Sequence, residues 1–305
     1  MFIALAIALV AVPAAVGAIS NVSVQPEKTG VEVVQIGVYV ADFNRFSVAD
    51  GTVESNFYLT LKSDTPVSIN DFEITNGHAT SVDTILDTPH EKEYRIVAAI
   101  TADPDLRRYP FDRHMLPIAI EPKLKNEREM VLVIDRANTG LDPEADLPGW
   151  EFTGTRSART NKSYVAGEVP YSRAVFDFGI GRDGTSTILK FFLPIMLIII
   201  VSLSSLMMKI SSRLGLNASM FLAAVLIHWR VADAIPLVAY TTFLDLFMII
   251  TYATLVMVLV SGILILKFTE AKNTARVEQI NYWSLRIIPP LSITLYFLLF
   301  LSLFI

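Results

Sequence analysis

The chain contains no cysteine in its 305 residues. That excludes a disulfide framework and any thiolate metal site. Histidine is scarce too, with four in all, and His78 and His90 are too isolated to build a ligand set. There is no metal-spaced His cluster, no Gly-rich phosphate loop and no Ser-His-Asp context. These absences argue against an enzyme, and no metal or other cofactor is expected. Basic charge is not in excess either. With 25 Lys and Arg against 30 Asp and Glu, the net charge is -5, which argues against nucleic acid as a partner.

What the chain does have is apolar sequence, unevenly placed. It is 52% hydrophobic with a mean hydropathy of +0.49. Most of the charge lies before about residue 186, and the remainder is mainly apolar runs. This divides the chain into three parts: 1–18, 19–186 and 187–305. The first, MFIALAIALVAVPAAVGA, is an apolar run ending in small residues, as in a secretory signal peptide. No Lys or Arg precedes its apolar core, so an uncleaved anchor is the alternative. The signal places Ile19 onward outside the cytoplasm.

From Val31 to Arg182 the pattern is short β-type runs broken by turns. Val31–Phe43 and Val53–Leu61 are rich in β-branched and aromatic residues, with Asn44–Gly51 as the loop between them. Further runs are Phe72–Thr75, Val82–Leu86, Tyr94–Thr101, His114–Ile120, Met130–Ile134, Trp150–Thr155 and Ala174–Ile180. Strands at this spacing, without helical stretches, predict an antiparallel β-sandwich of immunoglobulin-like type.

Four apolar segments come next: Ile188–Met208, Leu214–Ile235, Tyr240–Leu266 and Tyr282–Ile305. Each can span a bilayer as a helix. The first carries Pro194 near its outer end, where a kink is tolerated. The short loop after it carries Lys209 and Arg213, and the loop after the third carries Lys267, Lys272 and Arg276. The positive-inside bias makes both loops cytoplasmic. That agrees with an N-terminal domain outside and a multi-pass protein of the plasma or inner membrane.

The second segment is unlike the others. Every third or fourth residue gives Gly215, Ser219, Leu222, Leu226, Trp229 and Asp233, which share one helical stripe. A carboxylate in hydrocarbon is costly, so a lipid-facing stripe should not end in Asp. A stripe facing water through a narrow constriction can look like this. An ordinary membrane helix with its charges in the interface remains the alternative. His228 and Arg230 lie off the stripe. A pH sensor and packing against a neighbouring helix are both open for them. Asp245, about one turn into the third segment, suits water or an interhelical partner better than ion contact.

Two motifs give this order of parts a resemblance. Asp105–Asp112, DLRRYPFD, with Leu116 after it, looks like the signature loop of the pentameric ligand-gated ion channels, the Cys-loop receptor superfamily. Ile235–Tyr252, IPLVAYTTFLDLFMIITY, resembles the link from second to third helix and the start of the third, as in glycine and GABA receptors. Pro194 and Arg182 also sit where that family has its first-helix proline and the basic residue before that helix. The resemblance covers nearly everything from about residue 30, in the short prokaryotic form. The two bracketing cysteines of animal members would fall at Ala102 and Leu116, and bacterial members lack them. Departures are the missing N-terminal helix, a segment of only about fifteen residues between third and fourth helices, and Ser211, Ser212 and Arg213 at the inner end of the second. That inner end shows neither the glutamate of cation channels nor the proline-alanine of anion channels.

The resemblance implies a homopentamer around a central pore in the lipid bilayer, opened by a small extracellular ligand or by protons. Pore-lining positions would be Gly215, Ser219, Leu222, Leu226, Trp229 and Asp233, with Leu222 and Leu226 as the gate. Coupling between the domains would fall to Phe46, Tyr109, Pro110, Phe111, Asp112, Arg182 and Pro236, with Asp112 meeting Arg182. Asp233 would ring the outer mouth with carboxylates and favour cations weakly. Arg213 would oppose this unless its side chain turns away. Family ligands bind between subunits beneath a hairpin, here Thr160–Tyr171, which offers Tyr164 and Tyr171. Asn76, Arg136 and Asn138 match other loops of that face, and Phe57 and Tyr58 match the opposite one. An aromatic cage there would suit an amine. All seven could equally be sandwich core and surface. Two rivals stand beside the channel: a membrane-anchored binding or sensor protein that does not conduct, and a transporter. Four unequal helices show neither the repeats nor the broken helices of a transporter.

Overall fold

A computed structural model describes residues 30–233 and 235–304, with the side chains of Thr185 and Thr187 left aside. The expected signal peptide lies outside the described residues. Ten strands come first: β1 Glu32–Ser47, β2 Thr52–Ser63, β3 Phe72–Ile74, β4 Gly77–Asp87, β5 Glu91–Thr101, β6 Arg113–Pro122, β7 Met130–Ile134, β8 Gly140–Leu141, β9 Trp150–Lys162 and β10 Tyr171–Arg182. They form two sheets, one ordered β4-β5-β2-β1-β7 with β8 beside β1, the other β3-β6-β10-β9.

Period-two alternation builds the core between the sheets. Val34, Ile36, Val38 and Val40 of β1 point inward and are fully buried, as do Phe57, Leu59 and Leu61 of β2. Phe176, Phe178 and Ile180 of β10 meet them from the other sheet. Each such side chain contributes about 1.5–3 kcal/mol by leaving water.

Two expectations for the strands change. The first sheet is not wholly antiparallel, because β1 runs parallel to β7 and β8. β1 continues through two bulges to Ser47, so the Asn44–Gly51 loop shrinks to 48–51. Asn44 and Arg45 are exposed polar residues that read as loop, yet this stretch of β1 pairs with β2.

The helical part opens with a short turn, α1 Gly184–Thr187, and a π-helical turn, Ile188–Phe192. α2 Leu193–Ser204 has Pro194 in its first turn, where the missing N–H costs nothing. Then come α3 Ile210–Ala232, α4 Phe243–Glu270 and α5 Thr274–Leu301. Ile188–Met207, α3, α4 and α5 are long and apolar enough to cross a membrane. The start of the last helix differs from expectation. α5 begins eight residues before the apolar run, at an Asn273 cap that accepts from Arg276 N. Its first turns are polar, so apolar run-length hid them. The link between α4 and α5 is therefore 271–273, not about fifteen residues. α5 also carries Pro289 and Pro290 inside it.

Polar side chains tie the helices together. Asn217 on α3 donates to Ser205 Oγ at 2.7 Å and accepts from Ser202 on α2. Thr251 and Thr254 on α4 bond Tyr296 and Ser292 on α5 at 2.9 and 3.0 Å.

Candidate functional site

The loop 105–112 sits where the sandwich meets the helices. Its backbone caps α4: the Arg107 carbonyl accepts from Phe243 N at 2.8 Å, and the Tyr109 carbonyl from Leu244 N at 3.1 Å. These are N–H groups that a helix start cannot satisfy internally. Thr242 and Asp245 complete the cap with a reciprocal box. Asp245 thus serves the first turn of its own helix, and no residue of another helix bonds its carboxylate among the described residues. Its place three residues after a threonine was the signal for this. Tyr240 Oη accepts from Leu106 N at 2.9 Å, and the Arg107 guanidinium lies 4.9 Å from the Tyr240 ring centre.

Side chains of the loop then divide between two clusters. Tyr109, buried, joins Leu106, Val231 and Leu244, with Val48, Ile235 and Val238 against them. Phe111 stacks on Phe192 at 5.3 Å and meets Phe243 and Phe300 edge-on. One loop therefore touches the β1–β2 turn, the end of α3, the start of α4 and the end of α5. Pro110, buried and preceded by a cis bond, lies between them. Pro236 is half-buried, while its neighbours Ile235 and Val238 carry the packing.

Asp112 is buried, and both of its oxygens are engaged. Arg182 Nε donates to Oδ1 at 2.8 Å, and His114 Nε2 to Oδ2 at 2.6 Å. Burial alone would raise the Asp112 carboxyl. The His114 hydrogen bond and the Arg182 charge outweigh it and hold the group below the usual carboxylate range. Arg182 is sandwiched over the rings of Trp150 and Tyr109 at 4.3 and 5.0 Å. Phe46 and Trp150 pack on the His114 ring at 5.7 and 5.3 Å. Trp150 carries no mark in the sequence that assigns it to this junction. His114, two residues from Asp112 on a strand, shares its face, and that spacing was the available clue.

On α3 the stripe lies free. Gly215, Ser219, Leu222, Leu226, Trp229 and Asp233 are all exposed in the single chain, with Trp229 at 66%. The opposite face is packed: Arg213, Asn217, Ala224 and Val231 are buried. Arg213 turns from the stripe into the α3–α4 contact, where its Nη2 bonds Ser261 and its Nε has no partner among the described residues. Beside it, Gly262 makes room for Leu214, since a Cβ there would meet Leu214 Cδ2 at 2.8 Å. His228 bonds Tyr252 on α4 at 2.9 Å, the packing role left open for it, and Arg230 is exposed.

The ligand candidates do not form one group. Phe57 is fully buried in the sandwich core and is corrected to a packing residue, because alternation turns it inward and Tyr58 outward. Asn76 is fully engaged by backbone. It donates to Thr101 O and Pro117 O and accepts from Ala119 N, so it braces β5 to β6. Tyr164 and Tyr171 do come together beneath their hairpin, with ring centres 5.9 Å apart. Tyr164 Oη donates at 2.8 Å to the buried Glu121, which also holds Arg173. Glu121 was hidden because a lone Glu in a β-run reads as an outward residue. Arg136 lies in a notch of about 110 Å³ at the sandwich edge with Thr139, Thr155, Arg156 and Ser157 over Phe176 and Phe178. Tyr58 and Asn138 share a separate hollow. Among the described residues no cluster of three or more His, Asp or Glu could hold a metal ion. Compared with known proteins, the chain matches no family model, and no curated protein matches it significantly.

Proposed function

We propose that five copies of this chain assemble into a ligand-gated ion channel, with α3 from each lining the pore. The β domain lies outside the membrane and senses the ligand. The loop 105–112 passes the change to the helices.

The observation that carries this reading is the free stripe of α3. A helix long enough to span a membrane leaves Gly215, Ser219 and Asp233 exposed on one face and buries its contacts on the other. Polar groups facing lipid are costly, so this face calls for water and for companion copies around it. The junction supports the same reading, because Tyr109 and Phe111 join the sensor to three helix ends, and Asp112 bonds Arg182 at the end of β10. Weak cation preference is the expectation from Asp233 at the outer mouth, with Arg213 withdrawn from the stripe.

Purified protein in a planar bilayer tests this. Discrete ligand- or proton-dependent conductance, with a fivefold mass in native mass spectrometry, is the expected result. Fivefold assembly without conductance would make the protein a membrane-anchored sensor. A monomer without conductance would end the proposal.

A further inference from the structure

The sandwich is open along one edge, between the turn 135–138 and β9. The notch of about 110 Å³ there has Phe176 and Phe178 as its floor. That volume is well above the roughly 10–15 Å³ that one water needs. It is also below the roughly 300 Å³ at which pockets for organic ligands begin. Register builds one wall. Thr155 pairs with Phe178 and Ser157 with Phe176, so both hydroxyls stand on the face that the two core rings share. A bulge at Gly154, with φ +151°, bends β9 just before Thr155. The turn builds the other wall. Asp135 caps it by accepting from Ala137 N at 3.0 Å, and the Thr139 hydroxyl donates back to the Asp135 carbonyl at 2.7 Å. These bonds fix the backbone on either side of Arg136, which stands at the mouth.

The chemistry facing the notch is one-sided. No Asp or Glu lines it. Arg136 is exposed, and its guanidinium has no hydrogen-bond or ion-pair partner among the described residues. The nearest carboxylate in sequence, Asp135, is committed to Lys62, Asn138 and the Ala137 N–H. The hydroxyls of Thr155 and Ser157 bond nothing among the described residues. Arg156, between them, pairs across the strands with Asp177 and adds positive charge at the rim. Two residues of strand separate Thr155 from Ser157, about 7 Å. An anion carrying several oxygens can meet both hydroxyls and the guanidinium at once.

We infer that this notch binds one tetrahedral inorganic oxyanion, sulfate or phosphate. Arg136, Thr155 and Ser157 would donate to its oxygens. The site lies apart from the Tyr164–Tyr171 hairpin and from the hollow that Tyr58 and Asn138 share. It rests on the fold of one chain and needs neither a pore nor a second subunit, so its test reads binding alone.

The experiment is equilibrium dialysis of radiolabelled sulfate against the full-length protein in detergent, with sodium chloride holding the ionic strength constant. Saturable binding of one sulfate per chain is expected, displaced by unlabelled phosphate but not by the same concentration of added chloride. Arg136→Gln should weaken it roughly tenfold or more, and Arg136→Glu should abolish it. The double change Thr155→Val with Ser157→Ala should weaken it severalfold, and Tyr164→Leu should leave it unchanged. Thermal midpoints of all variants near that of the wild type show that each is folded. Absence of saturable binding to the wild type overturns the inference. So does full-strength binding to Arg136→Glu, displacement by chloride as effective as by phosphate, or loss in Tyr164→Leu.

Discussion

Arg182 Nε reaches Asp112 Oδ1 at 2.8 Å across seventy residues of chain, and the carboxylate it meets is fully buried. The strand β10 that carries Arg182 leads directly into the helices, and Asp112 ends the loop that caps α4. Removing Asp112 would leave a guanidinium and an imidazole facing each other without a counter-charge. Asp112→Ala should therefore cost about 3–5 kcal/mol, read as a lower thermal midpoint. Asp105→Ala, which removes the exposed partner of Arg107 in the same loop, should change it little. Equal effects would show that the buried pair has no special weight.

Acid should expose the same carboxylate. Its pKa is lower folded than unfolded, because the His114 hydrogen bond and the Arg182 charge outweigh the cost of burial. The stability this gives is present above the unfolded value of about 3.9 and is lost as pH falls through the folded value. The wild type should thus lose stability from about pH 5 downward, and Asp112→Asn should lose less over that window. Thermal midpoints taken between neutral and acidic pH check this. Parallel curves for the two proteins would contradict it.

Leu222 and Leu226 stand about one turn apart on the free face of α3, both exposed in the single chain. In the proposed pentamer they make two stacked apolar rings that shed water and close the pore. Leu222→Ser should raise resting conductance and agonist sensitivity. Leu216→Ser, off the stripe, should do much less. Cysteine-accessibility mapping that found position 216 reactive and 222 protected would refute the assignment.

Arg213 and Asp233 should separate cleanly in selectivity. Asp233 ends the free stripe, whereas Arg213 is buried against Ser261. Reversal potentials in asymmetric NaCl should shift away from cation preference with Asp233→Asn and stay put with Arg213→Gln. A wild-type reversal near the chloride equilibrium value would reject the cation assignment itself.

How far the sequence could be read depended on which signal each element carries. β1 and the inward face of β10 alternate cleanly, so their existence was legible. β4 was visible only as Val82–Leu86, because all but its first residue are exposed and no apolar side marks its length. Asn56-Phe57-Tyr58-Leu59 has apolar residues on both faces, and only the pairing decides that Phe57 goes in and Tyr58 out. The stripe on α3 was legible because a 3.6-residue period sorts it. The direction of Arg213 was not, since its partner Ser261 lies 48 positions away on another helix. Asn138 and Tyr58 read in sequence as facing partners on different subunits. The structure brings them to one hollow, because the parallel pairing of β7 and β8 with β1 folds the 135–138 loop over Gly37.

The capping of α4 by the carbonyls of Arg107 and Tyr109 has a mechanical consequence. A helix whose first turn is completed by another segment's backbone cannot slide or tilt against that segment without breaking those bonds. The loop and α4 are geared together and share one degree of freedom. No backbone bond of this kind ties α3 to the loop among the described residues: the end of α3 meets it through the apolar contacts of Val231.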